Sequence, residues 1–188
     1  MVTGEPERAF SSRRGLLAGA IGTGAAVLAG CGAHSLRSQV KGGAKVAPAD
    51  VDVLNRLLEL EYYAIAVYTA GIPYLRRPAR KAAKQFLGQE VTHASTLAGL
   101  VKQAGGKAVS PNPSYDVGRP RETEILTLLH RLEGQQLDAY TQLLPSLTAG
   151  KLRATASAIM ANDAQHLAVL RQTLGLSPVP SPFASGRE

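Results

Sequence analysis

The sequence predicts an all-α fold, a four-helix bundle built from two duplicated helical hairpins with a long crossover between them. Apolar residues recur at helical spacing in four stretches, and no stretch shows the regular alternation that is typical of a strand. The chain also matches itself when it is shifted by 72 residues. Its 188 residues are enough for one ordinary domain.

The first hairpin is predicted from two long stretches with a helical apolar period. Its first helix is expected to begin near Asp50, whose carboxylate suits a helix N-terminus, and to end by Gly71. Its second helix is expected to begin at Pro78, which is favoured in the first turn, and to end at Gly105 and Gly106. Each apolar face is interrupted by a carboxylate.

The second hairpin follows a connection of about 16 residues, which is long for a link between helices. Its helices are expected from Pro120 to about Pro145 and from about Lys151 to Gly175. The connection could reach roughly 50 Å when extended, whereas a helix of about 27 residues is roughly 40 Å long. It can therefore cross the whole bundle, which makes the second and third helices parallel.

The internal repeat places the same residue types at equivalent positions of both hairpins. The 72-residue shift aligns Leu54, Glu61 and Tyr68 with Leu126, Glu133 and Tyr140. One further residue of offset aligns Glu90 and His93 with Asp163 and His166. Two copies related by a pseudo-two-fold axis would bring their inward polar residues together at the centre of the bundle.

Four carboxylates and two imidazoles lie on these inward faces, and they are Glu61, Glu90, His93, Glu133, Asp163 and His166. A buried, unpaired carboxylate costs several kcal/mol or takes up a proton. Two metal ions, bridged by the two isolated glutamates and each completed by a carboxylate and a histidine, would neutralise the group. Cys31 is the single cysteine, which excludes a multi-thiolate zinc site.

An alternative applies to the Glu90 and His93 pair taken alone. Residues three apart share one face of a helix, and an ion pair on the helix surface is the simpler interpretation of one such pair. The repeat favours the metal site, because the same spacing occurs in the second hairpin.

The six residues resemble the ferritin-like superfamily of di-iron and di-manganese carboxylate proteins, and specifically its exported bacterial members. That pattern has a Glu from each of two helices and Glu-x-x-His from each of the other two. Over residues 50 to 175, the resemblance implies bound iron or manganese. It implies both a catalytic and a metal-binding role for Glu61, Glu90, His93, Glu133, Asp163 and His166.

One of the six positions departs from the pattern of the family. Asp163 stands where a glutamate is expected, and its reach is shorter by roughly 1.5 Å. The second metal ion is therefore expected to be weaker, water-mediated or absent.

Three further side chains are candidates for contact with the ligands. Tyr68 and Tyr140 follow Glu61 and Glu133 by seven residues, and they are interpreted as hydrogen-bond donors, as redox-active groups or as core tyrosines with a polar tip. His130 lies one turn before Glu133. It is interpreted as a partner of a ligand or as a satisfied core histidine, with a further ligand as the less favoured alternative.

The N-terminal residues are predicted to be a targeting segment. The stretch SRRGLL resembles the twin-arginine export signal, and LAGC, which ends at Cys31, resembles the lipobox of bacterial lipoproteins. The 15 residues before Cys31 are too few and too glycine-rich for a comfortable membrane span. The resemblance implies cleavage before Cys31, lipidation of its sulfur, and anchoring to the bacterial membrane outside the cytoplasm.

These observations divide the chain into four parts. Residues 1–30 form a twin-arginine lipoprotein signal peptide, 31–49 the lipidated cysteine and a flexible tether, 50–175 the bundle, and 176–188 a proline-rich tail along the surface. The net charge of +7 suits an anionic bilayer and requires no nucleic acid. A basic group near the start of the second helix, which includes Arg76 and Lys84, is a solvated face or a contact with anionic lipid.

The resemblance implies a lipid-anchored protein that oxidises Fe(II) or consumes O2 or peroxide. The alternative is a non-catalytic envelope module for stress protection or interaction. A DNA-protecting role is disfavoured because the chain is expected to lie outside the cytoplasm, and closed-cage iron storage because the chain is tethered. A homo-oligomer remains open, as does the choice of metal.

Overall fold

The computed structural model describes residues 47 to 111 and 114 to 187. Four long helices form there, and they are α1 (Pro48–Gly71), α2 (Ala79–Gln103), α3 (Glu122–Leu143) and α4 (Gly150–Thr173). Short 3-10 turns, Ile72–Tyr74 and Leu144–Ser146, follow α1 and α3. No strand occurs within the described ranges. The predicted all-α fold is confirmed, whereas the predicted signal peptide, Cys31 and most of the predicted tether lie outside the described residues.

The helix ends agree with the predicted signals to within a few residues. Asp50 lies inside the first turn of α1, and its carboxylate accepts a hydrogen bond from the Ala47 amide at 3.3 Å. Pro78 directly precedes α2. The third helix begins two residues later than Pro120, because Glu124 accepts a hydrogen bond from the Arg121 amide at 2.7 Å and fixes the first turn there. Side-chain acceptors of this kind satisfy amides that have no partner inside the helix.

Two apolar clusters at opposite ends of the bundle establish the helix directions. One contains the start of α1 and the end of α2, represented by Leu54 and Val101, with the end of α3 and the start of α4. The other contains the opposite ends, represented by Val67, Ala83 and Leu170. The second and third helices therefore run parallel, as predicted from the length of the connection.

The crossover passes from one apolar cluster to the other. Ala108 and Val109 pack against the cluster that contains Leu54. Tyr115 and Val117 pack against the cluster that contains Val67. Because the side chains of this segment cover both ends, the crossover is part of the core packing.

The pseudo-two-fold repeat extends to the contacts that join the hairpins. Asp50 in α1 accepts hydrogen bonds from the amide and hydroxyl of Thr148, at 2.7 and 2.8 Å, just after α3. Glu122 in α3 accepts one from the amide of Arg76, at 2.7 Å, just after α1. The 72-residue shift relates Asp50 to Glu122 and Arg76 to Thr148. Each hairpin thus anchors the turn of the other.

The C-terminal residues return to the outside of α3. Gly175 has a positive φ of 76° and ends α4. Further along, the carbonyl of Gly186 approaches Gly134 so closely that a Cβ built at Gly134 would lie 2.8 Å from it. Arg187 pairs with Asp138 at 2.8 Å. The tail therefore contacts the helix that carries Glu133.

A helix that spans a membrane needs about 20 consecutive, predominantly apolar residues. Among the described residues, no helix is both long enough and apolar enough to cross a bilayer.

Candidate metal centre

All six predicted site residues meet in the middle of the bundle, between the two apolar clusters. Each of the four helices contributes, and the helical repeat of 3.6 residues directs these side chains to the inside. The four carboxylates are completely buried, His166 is 1% exposed and His93 is 8% exposed. Charged residues are almost never buried to this degree unless they are paired or bind a metal.

The ligand atoms of the six residues form two groups that share one member. The first group is Glu61, Glu90 and His93, and the second is Glu90, Glu133, Asp163 and His166. Within each group the ligand atoms all lie within 4.8 Å of one another. Groups of this composition are compatible with a metal site.

Glu90 is the shared residue, because its two oxygens face different histidines. Its Oε1 lies 3.1 Å from Nδ1 of His166, and its Oε2 lies 3.7 Å from Nδ1 of His93. Glu61 and Glu133 each belong to one group only. The expectation that these two isolated glutamates bridge the ions stays a prediction, and the carboxylate of Glu90 in α2 lies between the two histidines.

Asp163 reaches the centre in spite of its short side chain. It belongs to the second group, and its Oδ1 also lies 3.5 Å from Nδ1 of His93. The shorter carboxylate therefore leaves no ligand missing from the second group. The smaller group is the one around His93.

The polar atoms of this centre have few partners of their own. Within the described residues, buried atoms with no hydrogen-bond partner include both oxygens of Asp163, Oε2 of Glu61 and of Glu133, and Nδ1 of both histidines. The Nδ1 atom of His166 and Oε1 of Glu90 are among them, although they lie only 3.1 Å apart. Since unsatisfied buried polar atoms are costly, atoms directed at a common point fit a cation between them.

Without a cation, the buried carboxylates and histidines have shifted pKa values. Burial raises the pKa of Glu61 and of Asp163 well above the ordinary value, and the charge on neighbouring carboxylates raises both further. Burial opposes protonation of His166, but Glu133 and Glu90 outweigh it and raise the pKa of His166 to about 9. In the metal-free protein, protons therefore take the place of cations.

The two tyrosines hold the isolated glutamates in a crossed arrangement. The hydroxyl of Tyr68 in α1 donates to Oε1 of Glu133 in α3. The hydroxyl of Tyr140 in α3 donates to Oε1 of Glu61 in α1. Both tyrosines are completely buried. The interpretation as hydrogen-bond donors agrees with this geometry. The bond leaves Oε2 of Glu61 free to lie 3.4 Å from Nδ1 of His93, whereas Oε1 of Glu133 both accepts from Tyr68 and lies 3.3 Å from Nδ1 of His166.

The two histidines have different surroundings. The Nε2 atom of His166 lies 2.8 Å from the side-chain oxygen of Gln89, and its ring stacks on Phe86 with centroids 4.1 Å apart. A partner on the outer ring nitrogen fixes the tautomer of a metal-binding histidine, with Nδ1 left as the ligand atom. Gln89 was not among the predicted site residues, although its position next to Glu90 and one turn before His93 was a signal for it.

A second glutamine was also missed. Gln136 in α3 is completely buried, and its Nε2 lies 3.5 Å from Oε2 of Glu90. It follows Glu133 by three residues, the spacing that separates Glu90 from His93. That spacing was the signal that could have identified it.

His130 lies outside the centre. It belongs to neither group of candidate ligands, is half-buried, and its Nε2 lies 3.4 Å from the guanidinium of Arg171. Burial lowers the pKa of His130, and the charge of Arg171 lowers it further. The structure therefore places His130 beside Arg171, away from the inward-facing carboxylates.

Comparison with known proteins agrees with the fold and the centre. The model of the ferritin-like domain family matches residues 49–176. The chain belongs to this ferritin-like family, as its sequence pattern suggested. The buried group of carboxylates and histidines in a ferritin-like bundle could bind metal ions.

A solved structure shares the fold. It is the crystal structure of a conserved hypothetical protein, rv2844, from Mycobacterium tuberculosis, with 18% identity and a TM-score of 0.64. The match covers 72% of this chain and 96% of that one. No curated protein matches the chain.

Proposed function

We propose that this chain is a lipid-anchored, extracytoplasmic ferritin-like protein that binds two iron or manganese ions and oxidises Fe(II) or consumes O2 or peroxide. The observation that carries the metal centre is the pair of ligand groups that share Glu90. When bound, two redox-active ions supply electrons to the oxidant. Hard carboxylate oxygens with imidazole nitrogens suit iron and manganese.

The residues of the chain would bind the ions and balance their charge. Four carboxylates carry four negative charges when they are ionised, and two divalent ions carry four positive charges. The centre would then be neutral inside an apolar core, where an unbalanced charge is expensive. The ions would replace the protons that the metal-free centre holds.

The surrounding side chains would orient the ligands and limit the access of water. Tyr68 and Tyr140 hold Glu133 and Glu61 through their hydroxyl groups. Phe86 covers the ring of His166, whereas the side chain of His93 remains 9% exposed. We therefore place the entry for small oxidants on the His93 side of the centre.

The location outside the cytoplasm rests on the sequence of the N-terminal residues. The twin-arginine route exports folded proteins, so metal could be loaded before export. Arg76 in the basic group at the start of α2 pairs with Glu122 at 3.7 Å, whereas Lys81 and Lys84 of the same group are exposed and available to anionic lipid. Replacement of Cys31 by Ser should move the protein from the membrane fraction to the soluble fraction, and a membrane-bound Cys31→Ser variant would contradict the lipid anchor.

The oxidation reaction is tested with purified protein and Fe(II). The native chain should consume O2 or peroxide several-fold faster than the same concentration of free Fe(II), and Glu90→Gln should abolish the difference. A native rate equal to that of free iron would contradict the reaction without excluding a bound metal. Metal analysis of the same sample separates these two conclusions.

A non-catalytic envelope module is the second candidate, and the enclosure of the centre favours it. Four fully buried carboxylates leave little room for an external reactant. If Glu61→Gln with Glu133→Gln fully restores the phenotype of a deletion strain, the module is preferred to the enzyme.

A further inference from the structure

Gln136 breaks the two-fold symmetry of the centre. The 72-residue shift places Ala64 at the equivalent position of the first hairpin, and Ala64 is also completely buried. An alanine or a leucine would fill such a position without a polar group. A buried amide there needs a partner, since an unpaired one costs about 1–3 kcal/mol.

The partners that Gln136 has do not account for its burial. Its Nε2 makes one long contact of 3.5 Å, to Oε2 of Glu90. Its Oε1 is buried and has no hydrogen-bond partner among the described residues. At 3.5 Å the contact to Glu90 is at the limit of a hydrogen bond. The oxygen end of the amide therefore has no partner among the described residues, and the nitrogen end has one weak partner.

The contact identifies the half of the centre that Gln136 serves. Oε2 of Glu90 is the oxygen that faces His93, whereas Oε1 faces His166. Gln136 consequently lies on the His93 side, although it comes from the opposite hairpin. That side has the smaller ligand group, with three residues against four, although Oδ1 of Asp163 from the larger group also lies 3.5 Å from Nδ1 of His93.

We propose that Gln136 is a ligand or positioning residue for the ion on the His93 side, held by its amide oxygen directly or through a water bound to that ion. This inference rests on the proposed metal centre. An amide oxygen is a hard, neutral donor of the kind that suits manganese and similar ions. It adds a ligand without adding a negative charge. A fifth negative charge would be in excess, because the four carboxylates already balance two divalent ions. The two ion positions are therefore unequal.

The test is a Co(II) titration of the full chain, purified in detergent, with visible absorption and competition against a chelator. The native chain should bind two ions in two steps. In Gln136→Leu, one of the two affinities should fall by about 10-fold or more, the range found for residues that orient ligands. The Co(II) absorption of that step should change, because the number or arrangement of oxygen ligands changes.

Gln135→Leu is the matched control, because Gln135 is an exposed neighbour on the same helix. It should leave both affinities and the spectrum unchanged. Thermal unfolding of the metal-free proteins distinguishes a role of Gln136 in metal binding from a role in the stability of the fold. Gln136→Leu should be at least as stable as the native chain, since it removes a poorly satisfied buried amide.

Each result has a defined meaning. Two native binding steps that are unchanged in Gln136→Leu would overturn the role of Gln136 and leave the metal centre standing. Lower stability of metal-free Gln136→Leu with unchanged Co(II) affinity would also overturn it. A native chain that binds no Co(II), iron or manganese would overturn the proposed centre together with this inference.

Discussion

The two hairpins of this bundle share a framework but differ at the centre that they enclose. Their turns are joined by equivalent contacts, in which Asp50 accepts from Thr148 and Glu122 accepts from the amide of Arg76. Gln136, which lies near the ligands, has no such equivalent. Gln136 corresponds to Ala64 under the 72-residue shift. The comparison shows that duplication accounts for the fold and for the positions of the candidate ligands, whereas the buried amide of Gln136 is specific to one half.

The largest effect is expected where the two halves meet, at Glu90. Because Glu90 belongs to both ligand groups, Glu90→Gln should lose both ions. Glu61→Gln and Glu133→Gln should each lose one, since each belongs to a single group. Metal per chain, measured by elemental analysis after removal of excess metal, distinguishes these outcomes.

Glu59→Gln is the control, because Glu59 is exposed on the same helix as Glu61. It should retain the native metal content. A loss of one ion in Glu90→Gln and of both in Glu61→Gln would show that Glu61 is the shared ligand.

The next effect concerns pH and the metal-free centre. Glu133 and Glu90 raise the folded-state pKa of His166 to about 9, above its unfolded value of about 6.5. This interaction stabilises the folded chain fully below the unfolded value, and the stabilisation is lost as the pH rises through about 9. The loss is on the order of 3 kcal/mol for such a change.

Chemical denaturation of the metal-free chain between pH 6 and 9.5 measures this loss. Bound metal should reverse the trend, because the ligands must release protons to bind it. A metal-free chain whose stability does not fall over this range would contradict the proton-filled centre.

The turn contacts offer a smaller test of the shared framework. Asp50 is buried and accepts three hydrogen bonds, from Ala47 and from two groups of Thr148. Asp50→Ala should cost about 2 kcal/mol in the free energy of unfolding. Its equivalent, Glu122, is partly exposed, so Glu122→Ala should cost about 1 kcal/mol or less. Urea denaturation of both variants gives the two values. A larger cost for Glu122→Ala would contradict the expectation that the buried contact of Asp50 stabilises the fold more than the partly exposed contact of Glu122.

The smallest test compares the two tyrosines. Tyr68→Phe and Tyr140→Phe each remove one hydroxyl donor from a buried glutamate. Each should cost about 1 kcal/mol, and the two costs should be similar because the contacts are related by the two-fold axis. Denaturation of the metal-free variants measures them. A difference of several-fold would show that the centre is asymmetric here as well.

The sequence was sufficient to predict the fold because its signals are local. Apolar period, helix-stop glycines and the length of the connection established four helices and their directions, and the repeat identified the six inward residues. The third helix was predicted to begin at Pro120, two residues before its observed start, because the side chain of Glu124 determines the first turn.

The sequence was insufficient where contacts join residues of different helices. The crossed bonds from the tyrosines and the contact of Gln89 with His166 depend on how the hairpins pack, which spacing along one helix does not show. Spacing along one helix is insufficient to assign the bridging position for the same reason. Which carboxylate lies between two ions depends on the direction of its oxygens, and Glu90 alone faces both histidines with separate oxygens.

The most direct measurement is the metal content of the purified chain, supplied with iron and manganese, beside that of Glu61→Gln with Glu133→Gln. The account predicts about two ions per native chain, one for each ligand group, and few in the double variant, which lacks a carboxylate in each group. No stoichiometric metal in either protein would contradict it and would show that the centre is a group of protonated, buried carboxylates and histidines.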